Sequence, residues 1–433
     1  MKSKEALWRS LDAFGREGQQ MDGQQMNKQQ IKKAIMIYTI IVALAGLGLG
    51  LSDNLLSNYF RDAFEVDAFW RGFIEFPREL PGFLTVFILS ALAFFGDKRL
   101  TLISFALSFI GIMLLALGNP SFPMMLVFLF ITSLGIHMFM PLHDTLGMSL
   151  ATKGDYGRIL GRFNAVRTAF SLLAGLIAFV GFRVGFFSFT TPVIRVFLFS
   201  GICFALMFFL FIYLMRLTPD PRPRGSHFVL RKKYTSFYIL AALFGGRKQI
   251  MFVFGPWVLI ELFHFGADYM ALFIMIASVV SIFALPIIGR WIDKFGAPRV
   301  MVIEVILFFT IYLGYGLISA GTHDGWLTRT GLIVGILIFI HTLDRVTMNF
   351  GMARSIYLRS IAVSTDDVTP TLATGMALDH IFSIASALLC GWLWWEFGPQ
   401  YVFIFSGVLA IVQLVVAMRI KPNNMLADGN VTN

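Results

Sequence analysis

The segment Gly289-Arg290-Trp291-Ile292-Asp293-Lys294-Phe295-Gly296, followed by Arg299, is a short charged turn bounded by glycines, with long apolar stretches on both sides. An apolar run of about 20 residues crosses a hydrocarbon core of roughly 30 Å, so the turn reads as the link between two membrane-spanning helices. Outward from it, similar runs recur along nearly the whole chain, about twelve in all. The composition agrees: 57% of the 433 residues are hydrophobic and 14% are charged, against roughly 25% charged in soluble domains. The mean hydropathy is +0.75. The fold class is therefore all-α integral membrane, and no sizeable soluble domain fits between the spans.

Charge placement sets the expected orientation. The net charge of +10 could suit nucleic acid or acidic lipid, but in a multi-pass protein the distribution of Lys and Arg matters more than their sum. Twelve crossings place both termini on one side. With that side cytoplasmic, the inner segments hold Lys32, Lys33, Lys98, Arg99, Lys153, Arg158, Arg231, Lys232, Lys233, Arg290 and Lys294, whereas the opposite loops offer mainly Arg61, Arg71, Arg183 and Arg329. An integral multi-pass protein of a bacterial inner membrane is expected, with the lipid bilayer as a partner and no nucleic acid. The two cysteines, Cys203 and Cys390, lie within apolar runs and read as small buried hydrophobes.

The expected organisation is a cytoplasmic N-terminal tail (1–33), a first six-helix bundle (34–215), a cytoplasmic linker (216–234), a second six-helix bundle (235–420) and a cytoplasmic C-terminal tail (421–433). The tail is polar and Gln-rich, unlike a cleaved signal peptide, although Leu7, Trp8, Leu11 and Phe14 could form a short helix on the membrane surface. Prolines and positive charge around Pro219, Arg222 and Arg224 suit the linker. An offset of 196 lays Asp293-Lys294 on Asp97-Lys98, each pair in the turn after the second helix of its half. Internal symmetry of this kind is expected of transporters built from two rocking bundles.

Those residues carry a resemblance. Gly289, Asp293, Lys294, Gly296 and Arg299 are similar to the signature turn between the second and third helices of a half in the major facilitator superfamily, and the resemblance covers all twelve helices. It implies two pseudo-symmetric bundles, alternating access, and a cytoplasmic latch at this turn and at its first-half copy around Asp97. By the same offset the copy, Ala93 to Arg99, keeps the acid and the bases and loses both glycine positions. The family's Arg-containing pattern of the fourth helix is not recognisable in Leu134 to Pro141, and its glycine-proline antiporter pattern is missing between Gly161 and Gly181.

In that family the first, fourth, seventh and tenth helices line the central cavity. Ionisable groups at membrane depth are costly and mark function, so those on these helices are the first candidates. Asp53 and Asn54 on the first helix are expected to face Arg247 or Lys248 on the seventh. Proton-coupling candidates are Asp53, Asp344, Glu75 and Glu79; Glu75 can also reach Arg78 on one helix face, beside Pro77 and Pro81 that would loosen the backbone. Substrate-binding candidates are Arg247, Lys248, Asn54, His137, His341, Arg345 and Trp257, with Trp392, Trp394 and Trp395 as further stacking surfaces.

Over the presumed cavity Arg247, Lys248 and Arg345, with Arg167 as a further base, outnumber Asp53 and Asp344, so a secondary transporter of a small organic anion or amphiphilic solute is expected, coupled to protons or alternatively to sodium. It is expected to act as a monomer without cofactor or metal. Proton-driven efflux of lipophilic cations recognised by Asp53 is the alternative within transport. A membrane enzyme acting on a lipid-linked substrate is the alternative of another class, with His143-Asp144 or Asp379-His380 as acid/base pairs. Adjacent residues on a helix point about 100° apart, so neither dipeptide is a ready dyad and no catalytic residue is assigned. No Gly-x-x-x-x-Gly-Lys-Ser/Thr phosphate loop is present.

Overall fold

A computed structural model describes residues 28–150, 156–218, 231–363 and 365–420; the tail helix expected around Leu7 to Phe14 and most of the linker lie outside them. Among the described residues twelve long helices follow one another: α1 (Lys28–Ser52), α2 (Ala68–Ala91), α3 (Asp97–Leu117), α4 (Phe122–Ser149), α5 (Tyr156–Arg183), α6 (Arg195–Leu217), α7 (Thr235–Trp257), α8 (Ala267–Phe295), α9 (Ala297–His323), α10 (Gly331–Thr347), α11 (Thr365–Phe397) and α12 (Pro399–Arg419). Short segments prolong three of them: Asp53–Leu55 and Leu56–Phe64 after α1, a π turn at Val258–Leu262 after α7, and Met348–Gly351 and Met352–Ile361 after α10. Eleven of these spans are long and apolar enough to cross a membrane. The remaining helix, α2, carries Arg71, Glu75, Arg78 and Glu79, and it runs unbroken through Pro77 and Pro81 where loosening was expected.

Helices α1, α5 and α6 pack together, as do α3, α4 and α6, while α7, α9, α11 and α12 form the corresponding group in the second half. The halves meet along two seams, α2 against α11 and α5 against α8. At the end remote from the termini these seams are tight. A Cβ on Gly72 would run into the Ala387 carbonyl and lie 2.9 Å from Gly391 Cα, so the two helices touch backbone to backbone. Arg61 donates to the Ile260 carbonyl (2.6 Å), Asn58 to the Phe265 carbonyl (3.3 Å), and Arg183 pairs with Asp268 at 3.5 Å.

At the end that carries the termini the second seam is open. Gly175 on α5 faces Ala271 on α8, but Gly161 and Gly289, nearer the termini on the same two helices, have no neighbouring atom within 4 Å of where a Cβ would be. The α5–α8 seam is therefore not closed at Gly289 in this conformation. Gly296, by contrast, is required for the turn: at φ +81° it ends α8 and starts α9, a geometry that side chains with a Cβ rarely adopt.

Gly96 occupies the same place at φ 78°, between the turn after α2 and the start of α3. The equivalent glycines are thus Gly96 and Gly296, one helical turn away from the 196-residue offset, and the first copy has kept one of the two glycines it was expected to lack. Asp97 then starts α3, whereas Asp293 sits in the last turn of α8; the two acids are not equivalent.

Candidate functional site: the charged seam and central cavity

The spacing of Arg71, Glu75, Arg78 and Glu79 puts all four on one face of α2, where salt bridges between turns form naturally. Glu75 is fully buried and accepts from Arg71 (2.6 Å) and Arg78 (2.7 Å). Arg78 reaches on to Asp53 (2.9 Å), joining α2 to the break after α1. Two contacts then cross between the halves: Gln249 on α7 donates to Glu75 at 2.6 Å, and His380 on α11 lies 2.9 Å from the Glu79 carboxylate. His137 on α4 completes this group, its ring 5.0 Å from that of His380 and nearly perpendicular to it.

Beside this seam Asp53, Asn54, Arg78, Phe252, His341 and Arg345 line a central cavity. Phe252 lies between two guanidiniums, 5.4 Å from that of Arg78 and 4.6 Å from that of Arg345. Arg78 is neutralised by its carboxylates. Arg345 has none within 4 Å among the described residues, and its Nε is buried without a hydrogen-bond partner. One residue earlier, Asp344 is fully buried with both carboxylate oxygens unpartnered. His341 holds the Tyr315 hydroxyl at 2.9 Å, and its Nε2 is likewise unpartnered.

A second buried network lies wholly within the later half. Glu304 on α9 accepts from Arg247 and from Arg354, each at 3.1 Å, while Arg247 stacks on Phe308 (3.4 Å) and Arg354 on Phe244 (3.3 Å). Lys248 pairs with Asp379 at 2.7 Å.

The expected pairing of Asp53 with Arg247 or Lys248 is therefore not formed; each of the three has a partner in its own half. A hydrogen bond does cross from α7 to the first half, from Gln249, the next residue along. Trp257 is fully buried among apolar side chains rather than on the cavity wall, and Trp394 and Trp395 pack on Phe254 and Phe69 near the closed end. His143 is a packing residue that bonds the Tyr38 hydroxyl at 2.9 Å. Asp379 is held by Lys248 and His380 by Glu79, so this dipeptide has the two divergent partners that adjacent helix positions impose.

The family model described as Major Facilitator Superfamily matches residues 38–368, over three quarters of the chain. The chain belongs to the major facilitator superfamily. Secondary transport is accordingly its class of activity, and it is an integral membrane protein. Solved members share the architecture. The nucleoside transporter NupG aligns at 15% identity and a TM-score of 0.66, over 90% of this chain and 100% of its own. A POT family transporter bound to a thioalcohol-conjugated peptide aligns at 12% identity and 0.73, over 89% and 95%. A D-xylose-proton symporter aligns at 16% and 0.64, over 90% and 97%. At such identities the likeness shows the fold alone. No curated protein matches the sequence.

The turn that joins α8 to α9 lies at the open end of the α5–α8 seam. Lys294 and Arg299 are exposed there, and Lys98 of the first copy donates to the Thr218 carbonyl at the end of α6. Sequence reasoning passed over Phe252, Gln249, Glu304 and Arg354 as site residues, and named His380 only beside Asp379 as an acid/base alternative. A signal existed for two of these: Glu304 interrupts an apolar run from Val300 to Phe309, and Arg354 follows α10 at membrane depth. Glu304 was overlooked because α9 was not counted among the cavity helices.

Proposed function

We propose that this protein is a proton-coupled secondary transporter of a small organic anion, lying in a bacterial inner membrane with both termini cytoplasmic. The basic residues near the termini end support that orientation, and with it the conformation described here is closed outside and open inside. The observation that carries the anion reading is Arg345, a cavity-facing guanidinium left without a carboxylate. Such a group costs several kcal/mol at membrane depth unless it has work to do. A carboxylate or phosphate on the solute would supply the missing partner, held by two parallel N–H donors. Phe252 on the same wall suits a planar or apolar body. The solutes named for the solved relatives are diverse, and none is transferred to this chain.

Asp344 is the proton site in this reading, because it can gain or lose a proton without breaking an ion pair. Its neighbour Arg345 feels that change of charge directly. Protonation and anion binding are thus coupled through adjacent residues on α10, while the α2 network and the signature turn serve as gates that form and break as the halves rock.

Two outcomes follow. In a thermal-shift screen of purified protein, carboxylates or phosphate esters stabilise the wild type, and Arg345→Ala weakens the apparent affinity by about 10- to 100-fold, the effect of removing a charged hydrogen bond. Stabilisation by organic cations that depends on Asp53 instead would overturn the reading in favour of efflux. In proteoliposomes, Asp344→Asn retains exchange of solute for solute but loses uphill uptake driven by a pH gradient. Wild-type accumulation by Asp344→Asn would remove Asp344 from the coupling role.

A further inference from the structure

We propose that Glu79, His137 and His380 form a site for Zn²⁺ or a transition-metal ion of like chemistry, and that its occupancy locks the two halves together. The residues come from α2, α4 and α11, so two belong to the first half and one to the second. One donor atom from each lies within 4.8 Å of the other two. Ligands about 2.0–2.1 Å from a tetrahedral ion stand about 3.4 Å apart, so a modest inward turn of the side chains closes the triad. Two imidazoles and one carboxylate suit zinc and its neighbours, and leave a fourth position for water; Mg²⁺ and Ca²⁺ require more oxygen ligands.

The hydrogen bonding prepares the histidines for this role. His137 Nδ1 is 2.9 Å from the Ser133 carbonyl oxygen. A carbonyl only accepts, so Nδ1 carries the hydrogen and Nε2 is left with a free lone pair. A backbone carbonyl that fixes the tautomer of a ligating imidazole is a recurrent feature of metal sites. His380 shares a hydrogen with Glu79 across the seam (2.9 Å), and a cation entering between them would replace that hydrogen. Room for the His380 ring is provided by Gly82, three residues after Glu79: a Cβ there would lie 2.5 Å from Nε2 and 2.6 Å from Nδ1.

Two bases stand near and would oppose a cation, but each is compensated: Arg78 by Glu75 and Asp53, Lys248 by Asp379. A bound ion would convert one hydrogen bond across the α2–α11 seam into three coordination bonds spanning both halves, holding the outer end closed.

The test is calorimetric titration of tag-free purified protein with ZnCl₂, with CoCl₂ as a visible-absorption probe. One ion per chain is expected, with the intense visible bands of tetrahedral Co²⁺. Binding weakens at least 10-fold in His137→Ala and in His380→Gln and is unchanged in His323→Gln, an exposed control. His137→Ala leaves the Glu79–His380 contact in place, so it reports on ligation rather than folding. Spin labels at Val184, the residue after α5, and at Tyr269 on α8, both at the outer end, are expected to keep a single short separation at saturating Zn²⁺. Absent binding at millimolar ZnCl₂, or equal affinity in both variants, overturns the site. Binding with a widened label separation overturns the lock. The site does not depend on the anion-transport reading, since neither measurement involves a solute.

Discussion

Gly72→Leu is expected to fold and to remain open at its outer end. A Cβ at position 72 meets the Ala387 carbonyl and comes within 2.9 Å of Gly391 Cα, both backbone atoms that cannot rotate aside. The only relief is separation of α2 from α11, which is the motion that opens the outer side. Overpacking a tight contact costs about 1–3 kcal/mol, and two transporter conformations differ by only a few kcal/mol. A cost of about 2.7 kcal/mol imposed on one state alone shifts the ratio by about 100-fold. Label separations between Val184 and Tyr269 should lengthen, and flux should fall by a similar factor. Gly335→Leu, at a position with no neighbour within 4 Å, is the matched control. Unchanged separations in Gly72→Leu would mean that the seam does not form the outer gate.

Glu304→Ala is expected to be the most destabilising single substitution in the later half. The carboxylate and Arg247 are both fully buried, and Arg354 shares the same oxygen. Removing it strands two guanidiniums at membrane depth, and breaking a buried pair in this way costs about 3–5 kcal/mol. The apparent melting temperature in detergent should fall steeply, with Glu304→Gln intermediate because an acceptor oxygen remains. Replacing all three residues together, Glu304→Leu with Arg247→Met and Arg354→Met, should recover much of the loss, since a buried ion network can be exchanged for apolar packing at little net cost. Wild-type stability in Glu304→Ala would show that water reaches this cluster.

These two sites differ in how visible they are in the chain. Glu304 announces itself as an acid within an apolar run, whereas Gly72 looks like any other small residue and acquires meaning only from Ala387 and Gly391 opposite it. The same contrast runs through the charged seam. The spacing of Glu75 and Arg78 predicts contact on one helix face, and the ion pair is present at 2.7 Å. The expected pairing of Asp53 with Arg247 or Lys248 gives way to Arg78 on Asp53, Glu304 on Arg247 and Asp379 on Lys248. Matching the acids Asp97 and Asp293 aligned charge, while the backbone aligns the positive-φ glycines Gly96 and Gly296.

The sequence by itself determined the solvent, the number of spans and the family. Those follow from the length of apolar runs and from a turn whose glycine and charges are local requirements, and local requirements are written in consecutive residues. Only the tertiary structure decided which charges meet. Arg247 turns to Glu304 inside its own half, Glu79 reaches His380 in the other, and Arg345 is left facing the cavity without an acid. Rotation of a helix by one residue, about 100°, carries a side chain from cavity to core, and that rotation is set by the packing of neighbouring helices rather than by hydropathy.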